Sequence, residues 1–143
     1  MKGRILLFFF ALPFAGVGGW MGYSISDHLF DAWAMRSWEP VPARLSRAGF
    51  ETHNGDDSTT FEAYGQYTFQ FGDQQYSGDR VGIAGGADNI GDYQQDLGRH
   101  LSQAVGRGEV ITVFVNPQNP AESIIDRVLR WGLLGFKAIF FLV

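Results

Sequence analysis

The stretch Ile5 to Ile25 (ILLFFFALPFAGVGGWMGYSI) runs without one charged side chain. Coiled as a helix it is roughly 30 Å long, the thickness of a bilayer's hydrocarbon core. A second apolar segment, Leu129 onward (LRWGLLGFKAIFFLV), extends to Val143. At fifteen residues it covers only about 22 Å as a helix, so further C-terminal sequence is expected. These two ends divide the 143 residues into an N-terminal transmembrane helix and its extension (1–37), a central domain (38–126) and a second transmembrane helix (127–143). Roughly 90 residues are then left for water-soluble structure, enough for one small domain with a modest core.

Charge bears on both partners and orientation. Between Arg36 and Asp126 there are six arginines against thirteen acids, a net −7, compared with −4 for the whole chain. A surface that negative repels phosphate backbones, so nucleic acid is excluded as a partner. Lys2 and Arg4 precede the first apolar run, while Asp27 and Asp31 follow it. By the positive-inside rule the N-terminus is cytoplasmic and the domain periplasmic or extracytoplasmic, with Arg36, Arg127 and Arg130 pulling the other way. The sequence has no cysteine, which suits an oxidising compartment without requiring one. A basic start, an apolar run and the small residues Gly16, Gly18 and Gly19 also describe a cleaved signal peptide. The run is long for a signal core, and an anchor is expected.

Within the first span Pro13 should bend the helix. Ala11, Ala15 and Gly19 form one series of small residues at helical spacing, and Gly18, Gly22 and Ser26 form another. Such stripes let a second helix approach closely. The nearest candidate is the chain's own second span, with Gly132 and Gly135; a partner protein is the alternative. Lys137 is the one charge well inside an apolar segment. It either snorkels to the interface or pairs with an acid on another membrane subunit. Trp33, Trp38 and Trp131 should lie near one membrane interface.

The central domain reads as strands. Pro40 and Pro42 end any helix, and alternation from Val41 predicts a strand over 41–50. A polar tip, Thr52 to Thr60, leads to the clearest strand, Phe61 to Phe71. There Phe61, Ala63, Gly65, Tyr67, Phe69 and Phe71 share one face. Gly72-Asp73-Gln74 turns into a third strand over 75–83, completing a hairpin. After the glycine-rich loop Gly82 to Gly91, the spacing of Ile90, Tyr93, Leu97, Leu101 and Val105 predicts a helix. Asp88 or Asn89 is expected to cap it, and Gly106-Arg107-Gly108 to end it. A last strand over 109–115 runs into Asn116-Pro117-Gln118-Asn119-Pro120, which cannot continue a sheet.

Several of these features together resemble the domain-of-unknown-function 3592 family of bacterial membrane proteins. They are the Trp38-Glu39-Pro40-Val41 opening, the aromatic strand Tyr64 to Phe71 turning through Gly72-Asp73, the Tyr76-Ser77-Gly78 return and the glycine-rich loop. The Val113-Phe114-Val115-Asn116-Pro117-Gln118-Asn119-Pro120 exit before a membrane segment completes the set. The resemblance covers about residues 38 to 126 and the flanking spans. It implies a small β-rich domain held between membrane helices, and it assigns no catalytic or binding residue.

No catalytic constellation emerges from the residues themselves. His28, His53 and His100 lack metal-ligand spacing. Asp96–His100 comes closest and reads as a solvated pair on a helix. No serine sits in a Gly-x-Ser-x-Gly elbow or a Ser-x-x-Lys motif. The loop Gly82-Ile83-Ala84-Gly85-Gly86 lacks the Gly-Lys-Ser/Thr ending of a phosphate cradle. Asn54, Asp56 and Asp57 could offer oxygens to Ca²⁺, but an exposed hairpin tip describes them better.

The expected molecule is therefore a membrane-anchored, mainly-β (α+β) protein of the bacterial inner membrane. Its small antiparallel sheet, barrel-like and carrying one helix, lies between two transmembrane helices. It is expected to need no cofactor and no metal. Besides membrane lipids, its partner would be another membrane protein, met through the Gly18/Gly22 face, in a non-enzymatic accessory role. The alternative is a stand-alone periplasmic binding, sensing or immunity-like module.

Overall fold

The computed structural model describes residues 2–142. Helix α1 (Lys2–Ala34) runs into a 3-10 turn (Met35–Ser37), followed by strands β1 (Glu39–Asn54), β2 (Thr59–Phe71) and β3 (Gln74–Gly78). Helix α2 (Tyr93–Arg107), β4 (Val110–Val115), β5 (Ser123–Ile124) and helix α3 (Trp131–Leu142) complete the chain. The fold is α+β. Its five strands form one antiparallel sheet in the order β3-β2-β1-β4-β5.

At 33 residues α1 is about 50 Å long, and Pro13 lies inside it. Its apolar side chains stand bare: Leu7 is 71% exposed, Phe10 67% and Phe14 73%. Among the described residues it is the one helix long and apolar enough to cross a membrane. The 12-residue α3 is too short to pass the same test. It folds back along α1, where the Phe141 ring sits against Gly22 and Lys137 Nζ donates to Ser24 Oγ at 2.7 Å.

Because the chain lacks cysteine, the helix pair can be tested by crosslinking. A Gly22→Cys/Phe141→Cys variant is expected to form an internal disulfide on mild oxidation. A Gly16→Cys/Phe141→Cys control should not, since no neighbour lies within 4 Å of a Cβ at Gly16. Equal crosslinking of both pairs on gels would refute this packing.

Strand β1 is the spine of the sheet. It pairs with β4 over Glu39–Arg44 and with β2 over Ala43–Asn54. Pro40 and Pro42 pair with β4 alone, on a stretch that β2 does not reach, which leaves one side of β1 where a missing N–H costs no ladder bond. The register shifts between Leu45 and Arg47, and there Ser46 Oγ donates to Gln66 O. Gly72, at φ 62°, takes the first turn position between Phe71 and Gln74, as a tight hairpin requires.

The aromatic strand faces inward as its alternation predicts, with Ala63, Tyr67 and Phe69 buried. Tyr67 and Phe69 meet Ala43, Val113, Val115, Ile125 and Leu101 of α2 in the main core. A second cluster of Met35, Ile83 and Ile124 ties the end of α1 to the domain. Met35 is 1% exposed, so the junction is packed rather than a loose tether.

Three sequence expectations need correction. The third strand ends at Gly78 rather than continuing to Ile83. Beyond it the chain leaves β2: Ile125 N–H donates to Arg80 O and Asp126 N–H to Val81 O, at 3.1 and 2.7 Å. These bonds join the segments that follow the two edge strands and curl the sheet. Strand β5 was not anticipated, because its two residues follow the Asn-Pro turns too closely for any alternation to show.

Helix α2 starts at Tyr93 with Asp92 at its cap, and no side-chain bond is made there. Asp88 is engaged elsewhere, as described below. The helix buries Gln94, Gly98, Leu101 and Ala104, a stripe turned by about one residue from the predicted one. Gly98 decides that rotation: a Cβ there would lie 2.6 Å from Phe50 Cβ and 2.7 Å from Gly49 O. Helix and strand touch backbone to backbone at this point. The helix ends where expected, at Gly108 with φ 63°; Glu109 N–H closes the cap onto Ala104 O.

Candidate functional site

The departure of the chain at Gly78 leaves part of β2 without a strand beside it. The edge is covered again at Phe61, which exchanges both backbone bonds with Asp88 (2.8 and 3.0 Å). In a regular strand every second residue points its N–H and C=O the same way. Ala63 and Gly65 therefore aim their backbone groups at the same edge as Phe61, into the gap. The gap is a cleft of about 620 Å³ bounded by Glu62–Gln66 on one side and Asp79–Gly86 on the other, with Tyr93 and Gln94 at its end. Arg47, Glu51, Glu62, Asp79 and Arg80 give it charges of both signs.

Gln94 closes one end of the cleft. Its Oε1 accepts the Ala63 N–H at 2.9 Å, standing in for a strand, and its Nε2 donates to Asp88 Oδ2 and Gly86 O. Asp88 is the hub of the glycine-rich arch. Its two carboxylate oxygens take a bidentate pair from Arg130 (2.5 and 2.8 Å), the Gln94 amide and the Ile90 N–H. Burial works against this carboxylate. The bonds from Arg130, Gln94 and Ile90 outweigh it, holding Asp88 below its ordinary value.

Arg130 also donates to Ile90 O and lies 4.3 Å from the centre of the Tyr93 ring. Tyr93 Oη donates to Asp126 Oδ2 at 2.8 Å. Burial, and then Asp126, push the Tyr93 phenol above its usual range, so it stays a donor. Burial likewise raises Tyr67, whose hydroxyl meets Ser123 Oγ at 2.8 Å.

A second set of bonds fixes the domain to α1. Arg80 donates to Asp31 at 2.8 Å. Arg127 Nη1 reaches the carbonyls of Met35 (2.8 Å) and Trp38 (3.3 Å), where a cation suits the end of a helix. Its guanidinium lies 3.9 Å from the Phe114 ring centre. The cleft therefore has a set height and direction relative to α1.

The small-residue stripes separate. Gly18 is buried and Gly22 meets Phe141, whereas Ala11, Ala15 and Gly19 are exposed. Ser26 Oγ bonds Gly22 O of its own helix. A Cβ at Gly132 would lie 4.0 Å from Ile90, and nothing lies within 4 Å of one at Gly135. The two α3 glycines thus do not form the expected seat for α1; a ring on a glycine replaces small-on-small contact. Lys137 bonds Ser24 of the same chain.

Asp96 pairs with Arg99 at 3.8 Å on an exposed face, and His53 meets Glu62 across the hairpin at 3.6 Å. Asn54 accepts from Thr59, and Gly55 N–H bonds Ser58 O, which builds the hairpin tip. No group of three or more His, Asp or Glu suited to a metal occurs among the described residues.

Sequence reasoning missed Gln94, the Asp88–Arg130 pair and the Arg80–Asp31 strut. One signal was present: Arg127 and Arg130 stand directly before an apolar run, a position that favours charges tied to the domain.

A family model described as Domain of unknown function (DUF3592) matches residues 41–130. The match ends on Arg130, the partner of Asp88. Neither the curated proteins nor the solved structures contain a match.

Proposed function

The chain belongs to the DUF3592 family, and from that premise we propose a membrane-anchored, non-catalytic interaction subunit. Helix α1 crosses the bacterial inner membrane with its N-terminus in the cytoplasm. Helix α3 enters the same bilayer beside it, and the domain stands on the extracytoplasmic side. The bare apolar flank of α1 and the basic Lys2 and Arg4 before it favour this arrangement. The partner is a protein of a larger membrane assembly.

The observation that carries the reading is the stretch of the β2 edge around Gly65, beyond the Ala63 N–H that Gln94 takes and before the Tyr67–Gly78 pair. A strand edge with backbone groups aimed into a cleft takes up extended polypeptide by adding a strand. The cleft volume of about 620 Å³ lies in the range of ligand sites. The mixed charges on its rim would select among peptides, and the arch held by Asp88 and Gln94 would keep it open before binding.

Gly85 offers the test. It lines the cleft, and a Cβ there meets nothing within 4 Å. Gly85→Phe should place a ring in the opening while changing stability by less than about 0.5 kcal/mol. In mild detergent the full chain is expected to co-purify with a defined partner in fixed ratio, and Gly85→Phe to reduce that recovery at least tenfold. A photo-crosslinking residue at Gly85 should capture an extended segment of that partner; the same residue at Gln118, outside the cleft, should not. Recovery unchanged by Gly85→Phe would end the cleft assignment. Release of the chain from membranes by alkaline carbonate would end the anchor.

A further inference from the structure

A groove of about 500 Å³ lies between the end of α1 and the start of α3, lined by Leu29, Trp33, Arg36, Arg127, Leu129 and Trp131. No acid lines it, on a chain whose net charge is −4. The neighbouring arginines are neutralised: Arg80 by Asp31 and Arg130 by Asp88. Among the described residues, no carboxylate lies within ion-pair distance of Arg36 or Arg127.

Arg127 is held firmly by Nη1, through the Met35 and Trp38 carbonyls, and by the Phe114 ring. Among the described residues its Nε and Nη2 hydrogens have no acceptor and remain to serve another. Arg36 is exposed beside it. Next to these cations, Trp33 and Trp131 are 67% and 70% exposed, and the apolar flank continues through Leu29 and Phe30. Indoles settle at the headgroup level of a bilayer, so this groove has cations and apolar side chains where a lipid has phosphate and acyl chains.

We infer that the groove binds an anionic phospholipid, its phosphate between Arg36 and Arg127 and its chains along α1 and α3. Guanidinium forks match phosphate oxygens in geometry as well as charge. The groove offers no carboxylate to an ammonium headgroup, so it selects against zwitterionic lipids. The inference rests on the membrane reading above and adds the class of lipid and the residues that hold it. Such a lipid would supply the anion that the junction lacks and brace the domain against the bilayer.

The test uses the full chain in nanodiscs of phosphatidylcholine containing a minor fraction of phosphatidylglycerol. Either lipid carries bromine on its chains at matched content, and tryptophan emission is the readout. Brominated phosphatidylglycerol is expected to quench more strongly than brominated phosphatidylcholine. Arg36→Gln should lower the preference roughly fivefold, and Arg36→Lys should keep most of it. The Arg36 side chain makes no bond to the fold among the described residues, so in nanodiscs of phosphatidylcholine alone both variants should melt like the parent. Equal quenching by the two lipids, or a preference unchanged in Arg36→Gln, overturns the inference. So does loss of the preference on adding inorganic phosphate at constant ionic strength, which would assign the groove to free phosphate. Failure of the chain to enter nanodiscs would instead overturn the membrane reading itself.

Discussion

Gly98→Ala is expected to destabilise the domain by about 3 kcal/mol, the upper part of the usual range for overpacking a core. The added methyl would meet Phe50 Cβ at 2.6 Å and the Gly49 carbonyl oxygen at 2.7 Å. The Gly49 oxygen and its carbonyl carbon, at 2.9 Å, belong to the backbone of β1, which cannot swing aside as a side chain does. Helix α2 must lift, and Leu101 and Ala104 are then drawn out of the core they help to seal. Alanine favours helix over glycine by about 1 kcal/mol, so a destabilised variant would show that contact outweighs propensity. Gly106→Ala, on the same helix with nothing within 4 Å, is the control and should be neutral or stabilising. Thermal melts of the full chain in detergent decide it: Gly98→Ala melting at or above the parent temperature would contradict the close approach.

The second large effect lies at the arch. Arg130→Gln should cost about 3–5 kcal/mol, because it leaves the Asp88 carboxylate without its cation in a place water reaches poorly. The two side chains are 10% and 16% exposed. Asp88→Leu should be comparably damaging by stranding Arg130. Combined as Asp88→Leu/Arg130→Met, the pair should do less harm than the two single costs added together, since no partnerless charge remains.

The sign of the pH dependence follows from the lowered Asp88 value. Its bonds stabilise the fold above the carboxyl value of an unfolded chain, near pH 4. That stability drains away as pH falls through the lower folded value. Urea titrations of the full chain should therefore show an acid limb below about pH 4 that shrinks in Asp88→Asn. A limb of equal size in that variant would place the titration elsewhere.

The predicted and observed structures agree best where periodicity is local. The alternation from Phe61 to Phe71 placed Ala63, Tyr67 and Phe69 inside because strand geometry alone sends every second side chain to the same face. The hairpin at Gly72 and the helix stop at Gly108 followed from single residues with positive φ. Helix α2 was legible as a helix but not in its rotation. Hydrophobic spacing favoured Tyr93 and Val105, while the structure buried Gln94 and Gly98. A glutamine goes inside only when its amide has partners, and those partners are a β2 backbone N–H and an aspartate on the arch. Neither is visible from the helix itself.

What the amino-acid order determined unaided was the bare apolar run of α1, the alternating β2 hairpin and the family to which they belong. Each is a property of neighbouring residues, set by backbone geometry and by the cost of placing greasy side chains in water. The cleft, the lipid groove and the rigid junction were decided only by tertiary structure. They depend on Arg130 meeting Asp88 across 42 positions, Arg80 meeting Asp31 across 49 and Arg127 meeting Met35 across 92. Such pairings exist only once the sheet has curled and drawn the segments beyond its two edges together, because charges and hydrogen bonds act over distances in space that the order of residues does not record.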